Sequence, residues 1–468
     1  MAKTLIGPKL RELRRERNQT QAEMARTLGV SPSYVNLLEN NQRSLSVQLL
    51  MSLSDAYAVD WRDLTKDETA RRMADLRQAV RDPVLASHRP DIQELRGAVD
   101  HAPRLVDLFL ELHGAYRNAL EKILNLAGDN GTDELLRSSP ETVIHNFFRD
   151  HENHFPELET VAEDARDGAL ASPEDRYFDL RQRLETRHGI TVRIRRLGDL
   201  NDALRYYDEA NGVLHLSQAL DTSNRAFQLA HVLCLVAYPE IVSEIVIRSG
   251  LDSQHALSRL RVELANYFAA AFLMPYAPFL QEAEAAGYDI DRIATEFSTS
   301  FEQVCQRLTT LQREGARGVP FFFLRIDKAG NVTKRFNSTS FHLAEYGGSC
   351  PVWNIHTAFY QPGVMMPQFV EMPDGARYFT ISRTVHRPVF SEETQDRRLT
   401  LALGCEAKYA HRLRYASSYN FDDPKLYAPI GLNCNLCSRQ ACSQRAHQPL
   451  LMDLPIDENR RGSTRYES

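Results

Sequence analysis

No window of this 468-residue chain reaches the roughly 18 uncharged apolar residues that a membrane-spanning helix requires. An apolar signal core is also missing at the start, which runs Met-Ala-Lys-Thr-Leu-Ile-Gly-Pro-Lys-Leu and places Lys9 where such a segment stays uncharged. A cytoplasmic protein with no membrane partner is the expectation. Glycine and proline, 22 and 21 in number, are too few and too dispersed for a collagen-like or low-complexity chain. A basic excess is absent as well. The 56 Lys and Arg stand against 62 Asp and Glu, a net charge of −6, so the whole chain is not a polycation that coats nucleic acid. Cysteine is scarce, with seven residues, and in a reducing compartment these are not expected to pair as disulfides.

What is present divides by pattern. At about 150 residues per domain the length suggests about three domains, and four segments are visible: 1–67, 68–150, 151–315 and 316–468. Residues 1–43 carry eight Lys/Arg against four Glu, a local basic face of the kind a phosphate-contacting module has. Within 68–150, Leu105, Phe109, Leu112, Tyr116, Leu120 and Ile123 recur at helical spacing. They form one apolar stripe on a helix of about six turns, closed by Gly128-Asp129-Asn130-Gly131. Such a stripe either packs on its own domain or meets its copy in a homodimer. Residues 190–194 alternate as a strand, and Asn211-Gly212 between two apolar runs signals a hairpin. After residue 316, Phe321–Ile326 and Tyr378–Ile381 look like strands. The fold class expected is mainly α with an α+β C-terminal half. The last dozen residues, from Asp457, read as a charged tail.

Residues 20–39 spell one helix, a turn and a second helix. Thr20 with Glu23 predicts a capping box, and Gly29 supplies a left-handed residue to end the first helix. Ser31 caps the second helix, with Pro32 at its first position. Ala25, Leu28, Val30, Val35 and Leu38 then face inward. This leaves Ser33, Tyr34, Asn36 and Leu37 outward, where a recognition helix presents base-reading side chains. A solvated helical hairpin is the bland alternative. The segment from about residue 7 to 65 resembles the lambda-repressor-like helix-turn-helix of the XRE family, down to Leu38-Glu39-Asn40 and a closing helix with Leu49, Leu50, Leu53 and Ala56. That resemblance implies that Gln21 and Arg43 touch phosphates while Ser33, Tyr34 and Asn36 face base edges of double-stranded DNA. Ser31 and Asn40, at the two ends of the second helix, complete the candidate set.

The stretch around His231 invites comparison with a zinc-protease helix, which needs His-Glu-x-x-His. Val232 stands where the general base belongs and Leu235 where the second ligand belongs. About thirty residues on, Glu263 opens Glu-Leu-Ala-Asn-Tyr-Phe. The segment resembles the ImmA/IrrE-type metallopeptidase-like domain, a zincin-like α+β fold here lacking its metal site, in which Glu263 would be the third ligand. One His and one carboxylate without a base do not activate water, so no enzyme is expected. A DNA-tethered metallopeptidase is the rival from another class.

Cys434, Cys437 and Cys442 form C-x2-C-x4-C, three sulfurs on one short loop. This reads as iron–sulfur or zinc in preference to a disulfide. The fourth ligand is open among Cys350, Cys405 and His447, with Cys350 favoured, while Arg439 and Arg445 are placed to offset thiolate charge. Together with the order of the four segments, this region resembles the short-chain fatty acyl-CoA-responsive transcription regulators over nearly the whole chain. That resemblance implies a CoA ester as effector and an iron–sulfur cluster of the 4Fe-4S type, with a structural zinc knuckle as the alternative. A CoA ester needs cations beside aromatic walls. The C-terminal segment offers Arg335, Trp353, Arg377 and Arg383 as candidates, with Arg325, Lys334, Arg387 and the aromatic residues Phe321, Phe322, Phe323 and Tyr378 nearby.

Overall fold

The computed structural model describes residues 7–17, 19–40, 42–43, 45–57, 68–85, 90–126, 140–166, 175–200, 203–251, 253–341, 349–385, 398–421, 423–449 and 452–454. The loop at 128–131, Arg387 and the tail from Asp457 lie outside them. The chain forms two compact units, Met1–Arg117 and Asn118–Ser468.

In the first unit, α1 (Gly7–Glu16), α2 (Gln21–Leu28), α3 (Pro32–Glu39) and α4 (Val47–Tyr57) close on Leu10, Leu13, Met24, Val35, Leu38 and Leu53. The expected capping box forms: Glu23 N–H donates to Thr20 Oγ1 at 3.2 Å and Thr20 N–H to Glu23 Oε2 at 2.7 Å. Gly29, at φ 67°, ends α2 in the left-handed region that a side chain resists. Ser31 Oγ then accepts from Tyr34 N–H, with Pro32 behind it. These three signals fix where the two helices stop and start, and so set the angle between them.

Among the described residues the next α-helices are α5 (Glu68–Ala79), α6 (Ile92–His101) and α7 (Pro103–Leu126). They share a small core of Leu76, Leu95, Val99 and Val106, with Phe109 and Leu110 packed against it. Buried Asp82 pins α7 through His113 at 3.1 Å and Arg117 at 3.3 Å. The single stripe expected on α7 is therefore two faces. Phe109 belongs to the local core, whereas Leu105, Leu108 and Leu112 are 67%, 62% and 70% exposed. A 3.6-residue period fixes which residues align, but not which of two adjacent stripes faces the domain. The side chains of Leu120 and Ile123 fall outside the described set.

The second unit begins with α8 (Pro140–Asp150), α9 (Pro156–Ala165) and α10 (Arg176–His188). A small sheet follows, with β3 (Val213–Ser217) in the middle, β1 (Thr191–Arg195) parallel to it and β2 (Arg205–Asp208) antiparallel. The expected hairpin is β2–β3, with Gly212 at φ 62° in its turn. Then come α11 (Thr222–Ala237), α12 (Pro239–Arg248), α13 (Gln254–Leu273), α14 (Tyr276–Ala285), α15 (Ile290–Glu296) and α16 (Phe301–Leu308). Among the described residues no single helix is long and apolar enough to cross a membrane.

The larger sheet has the order β5-β4-β8-β7-β6-β9, built from β4 (Phe322–Ile326), β5 (Val332–Asn337), β6 (Met366–Glu371), β7 (Arg377–Val385), β8 (Leu399–Glu406) and β9 (Tyr427–Pro429). Pairing is antiparallel except for β6 with β9. Alternation along the strands sorts the two faces. Phe323, Phe379, Ile381, Leu403 and Cys405 meet the helices, while Phe322, Leu324, Tyr378 and Ala402 meet Phe341, Cys350, Trp353 and Ile430. Beneath the helical layer lies an ion pair that no sequence pattern announces. Arg307 of α16 grips Glu159 of α9 through two hydrogen bonds of 2.6 and 2.9 Å, both residues at most 1% exposed.

Candidate functional site

The helix-turn-helix presents its second helix, α3, with Ser31, Ser33, Asn36 and Asn40 exposed and Tyr34 half-buried against the core. The outward side chains are not independent. Asn36 Oδ1 accepts from Asn40 Nδ2 at 2.9 Å and from Gln21 Nε2 at 3.4 Å. With its oxygen occupied, Asn36 has its amide N–H groups left to offer. Gln21 also donates to Glu39 Oε2 at 2.9 Å, so it props the recognition helix from α2. Arg43 is exposed just past α3.

Sequence reasoning missed the anchor of this face. Glu39, only 2% exposed, takes Arg14 Nε at 2.5 Å and Nη2 at 3.1 Å, and its backbone carbonyl accepts from Arg11. Burial would raise the Glu39 carboxyl, but Arg14 and Gln21 hold it below the ordinary carboxylate range. Two cations counted in the basic face, Arg11 and Arg14, therefore turn inward to hold α1 against α3.

In the second unit, α11 and α13 bring His231 and Glu263 into one network. His231 Nδ1 meets Asn266 Oδ1 at 2.9 Å; an amide oxygen only accepts, so Nδ1 carries the proton. Asn266 Nδ2 lies 3.5 Å from Glu263 Oε2. Burial, then Arg205, pushes the imidazole down to about 3, so it is neutral. Its Nε2 is buried without a hydrogen-bond partner. Val232 is packed in the apolar core, and Leu235, one turn beyond His231, is half-buried. Lys334 of β5 sits 3.4 Å from Glu263 Oε2. This donor set does not fit zinc: one imidazole, one carboxylate already paired with an ammonium, and no general base.

The cysteines sort by the face of the sheet they occupy. Cys405 points into the helical core, and burial raises its thiol. Cys234 and Cys305 lie in α11 and α16, and burial pushes the first up to about 12 and also raises the second. Cys350 lies on the opposite face. Burial raises its thiol, the backbone N–H groups of Gly431 and Val352 lower it, and Cys437 and Cys434 are close enough to raise it again. Gly431 lies between them: a Cβ there would come 2.7 Å from Cys437 Sγ. The Cys350 and Cys437 thiols thus share the surroundings of one backbone position, Gly431. Even so, no three His, Cys, Asp or Glu side chains among the described residues stand at metal-binding spacing. Arg439 and Arg445 bond backbone carbonyls instead of facing the sulfurs: Arg439 reaches Ile430 and Glu371, Arg445 reaches Cys434, His447 and Arg439. His447 is exposed.

The four candidate effector residues do not converge. Trp353 is buried on the Cys350 face, its Nε1 donating to Thr380 Oγ1 at 3.2 Å. Arg377 and Arg383 extend from the other face of β7, as the period of two demands. Arg377 pairs with Glu371 at 2.9 Å, and Arg383 pairs with Asp291 at 2.6 Å over the Phe301 ring. Arg335 lies on β5, 3.4 Å from Thr142 Oγ1 of α8.

Three family models match the chain: a helix-turn-helix over residues 10–64, an IrrE N-terminal-like domain over 185–309, and the C-terminal domain of the short-chain fatty acyl coenzyme A regulators over 310–466. A propionyl-CoA carboxylase regulator of Cereibacter sphaeroides is 37% identical across 467 residues, 99% of each chain. The chain belongs to the short-chain fatty acyl coenzyme A regulator family. The HTH-type transcriptional regulators PrpR and RamB of Mycobacterium tuberculosis are 36% and 35% identical, covering 100% and 98% of this chain and 96% and 98% of theirs. A solved Mycobacterium tuberculosis transcriptional regulator superposes with a TM-score of 0.67 at 38% identity, over 71% of this chain and 100% of that one. This family member is a DNA-binding transcription regulator with an α+β C-terminal half.

Proposed function

We propose that this regulator reads a two-half-site operator as a cytoplasmic homodimer, performs no peptidase chemistry, and answers to a short-chain CoA ester and to a metal centre on its cysteines. The observation that carries the DNA reading is α3, capped at Ser31 and propped by Gln21, with Asn36 and Ser33 exposed on its outer side. Asn36→Ala is expected to lose sequence discrimination by about 1–3 kcal/mol for each lost base contact. Arg43→Ala is expected to weaken all DNA binding and to lower the salt slope by about one. Fluorescence anisotropy on specific and random duplexes separates the two; an equal loss on both for Asn36→Ala would remove it as a base reader.

For assembly, the exposed Leu105, Leu108 and Leu112 supply an apolar row that a second copy can cover. Leu108→Asp should give a folded monomer by light scattering that binds a half-site weakly. Phe109→Asp should instead damage the small core shared by α5, α6 and α7. A dimer that persists in Leu108→Asp would move the interface elsewhere.

The effector reading rests on the family and on its relative in Cereibacter sphaeroides, a propionyl-CoA carboxylase regulator. The loss of base and second ligand at Val232 and Leu235 supports a binding role over catalysis. At the other end, Cys434, Cys437 and Cys442 with Cys350 are the residues that would hold a cluster. An iron–sulfur cluster would supply an iron open to oxygen or nitric oxide, where zinc would supply only a structural knuckle.

A further inference from the structure

The metal that the peptidase-like fold implies does not fit its residues, and the structure shows a cation in its stead. We propose that Lys334 is the resident cation of the former metal site, and that the site has become a socket fastening the edge of the large sheet to the peptidase-like helices. Glu263, the carboxylate matched to the third ligand, faces the ammonium at 3.4 Å, and both side chains are largely buried. Lys334 comes from β5, at the end of the sheet, so the pair joins α13 to a strand that follows it by some seventy residues. Two more contacts define the socket. Gln306 of α16 accepts from Nζ at 3.2 Å, and the Phe336 ring lies 5.1 Å from it. A parallel bridge runs beside it, Arg325 of β4 to Glu302 of α16 at 2.6 Å, so the edge strand β5 and its neighbour β4 are both fastened by charge.

The rest of the old site keeps the posture of a metal ligand. His231 holds its Nδ1 proton on Asn266 and leaves the Nε2 lone pair without a partner, the state in which an imidazole binds a metal. Asn266 in turn leans on Glu263, so the carboxylate still orients the histidine although it now serves the lysine. An ammonium beside that carboxylate repels a divalent ion entering the same space. Restoring the second ligand at position 235 is then insufficient for metal binding; Lys334 has to leave as well.

Two measurements on the full chain decide this. In a double-mutant cycle followed by thermal unfolding, Glu263→Gln and Lys334→Met are each expected to lower Tm by about 5 °C. The pair together should be no worse than either alone. Calorimetric titration with zinc alone then compares Leu235→His with Leu235→His/Lys334→Met, reading only binding beyond that of the unsubstituted chain. The second variant should gain one site at least about tenfold tighter than any gained by the first. Additive losses of Tm overturn the proposal. So does an extra zinc bound equally well with Lys334 in place, or no extra zinc in the double variant. Should Leu235→His fail to fold, the cycle decides alone.

Discussion

Arg307→Met is expected to destabilise the Asn118–Ser468 unit by about 3–5 kcal/mol. Its guanidinium is fully buried, bonds both Glu159 oxygens, and accepts nothing in return, while a third bond to the Met274 carbonyl fixes its plane. Removing it leaves a carboxylate buried with only the Tyr267 hydroxyl at 2.6 Å. Burial would raise Glu159, but Arg307 holds it below the ordinary carboxylate range. A carboxyl lowered by folding contributes stability above its unfolded value, about 4.3, and loses it as pH falls through the lower folded value. Acid should therefore weaken the unsubstituted chain through this pair, and Glu159→Gln should flatten that dependence. Glu159→Gln combined with Arg307→Met should recover part of the loss, since no charge then stays buried. Guanidinium unfolding at neutral and acid pH measures all three; a loss below about 1 kcal/mol for Arg307→Met would refute the assignment.

Cys437→Ala is expected to abolish visible absorbance in protein purified without oxygen, while helix content by circular dichroism stays nearly unchanged. The same outcome is expected for Cys350→Ala, because Gly431 touches both sulfurs' surroundings from one backbone position. Cys405→Ala should keep the colour, since that thiol sits across the sheet in the helical core. Cys234→Ala and Cys305→Ala should keep it too. Regulation should change in the Cys437 variant without any change at the residues of α3. A colourless chain holding one tight zinc would defeat the sensing role and leave the structural knuckle.

Local chemistry made much of this protein readable in advance. Thr20, Glu23, Gly29, Ser31 and Pro32 act on backbone groups within a few residues of themselves, so the helix-turn-helix and the exposure of Ser33 and Asn36 follow from order alone, whereas Tyr34 and Leu37, also expected outward, are half-buried. The departure from His-Glu-x-x-His was equally legible, because His231, Val232 and Leu235 share one helix and their spacing decides their faces. Contacts between distant segments were not. Glu39 with Arg14, Glu159 with Arg307 and Glu263 with Lys334 join residues 25, 148 and 71 positions apart. In sequence each is one more charge among many. Only packing removes water from such pairs, and without water a charge has to find its opposite or be lost. The same holds for α7, where periodicity aligned the leucines and the neighbouring helices chose which row to cover. Cys350 stands apart from Cys405 for a related reason: Cys405 points from β8 into the helical core, while Cys350, in a loop, packs on the opposite face of the sheet, and only tertiary packing decides which face a loop covers.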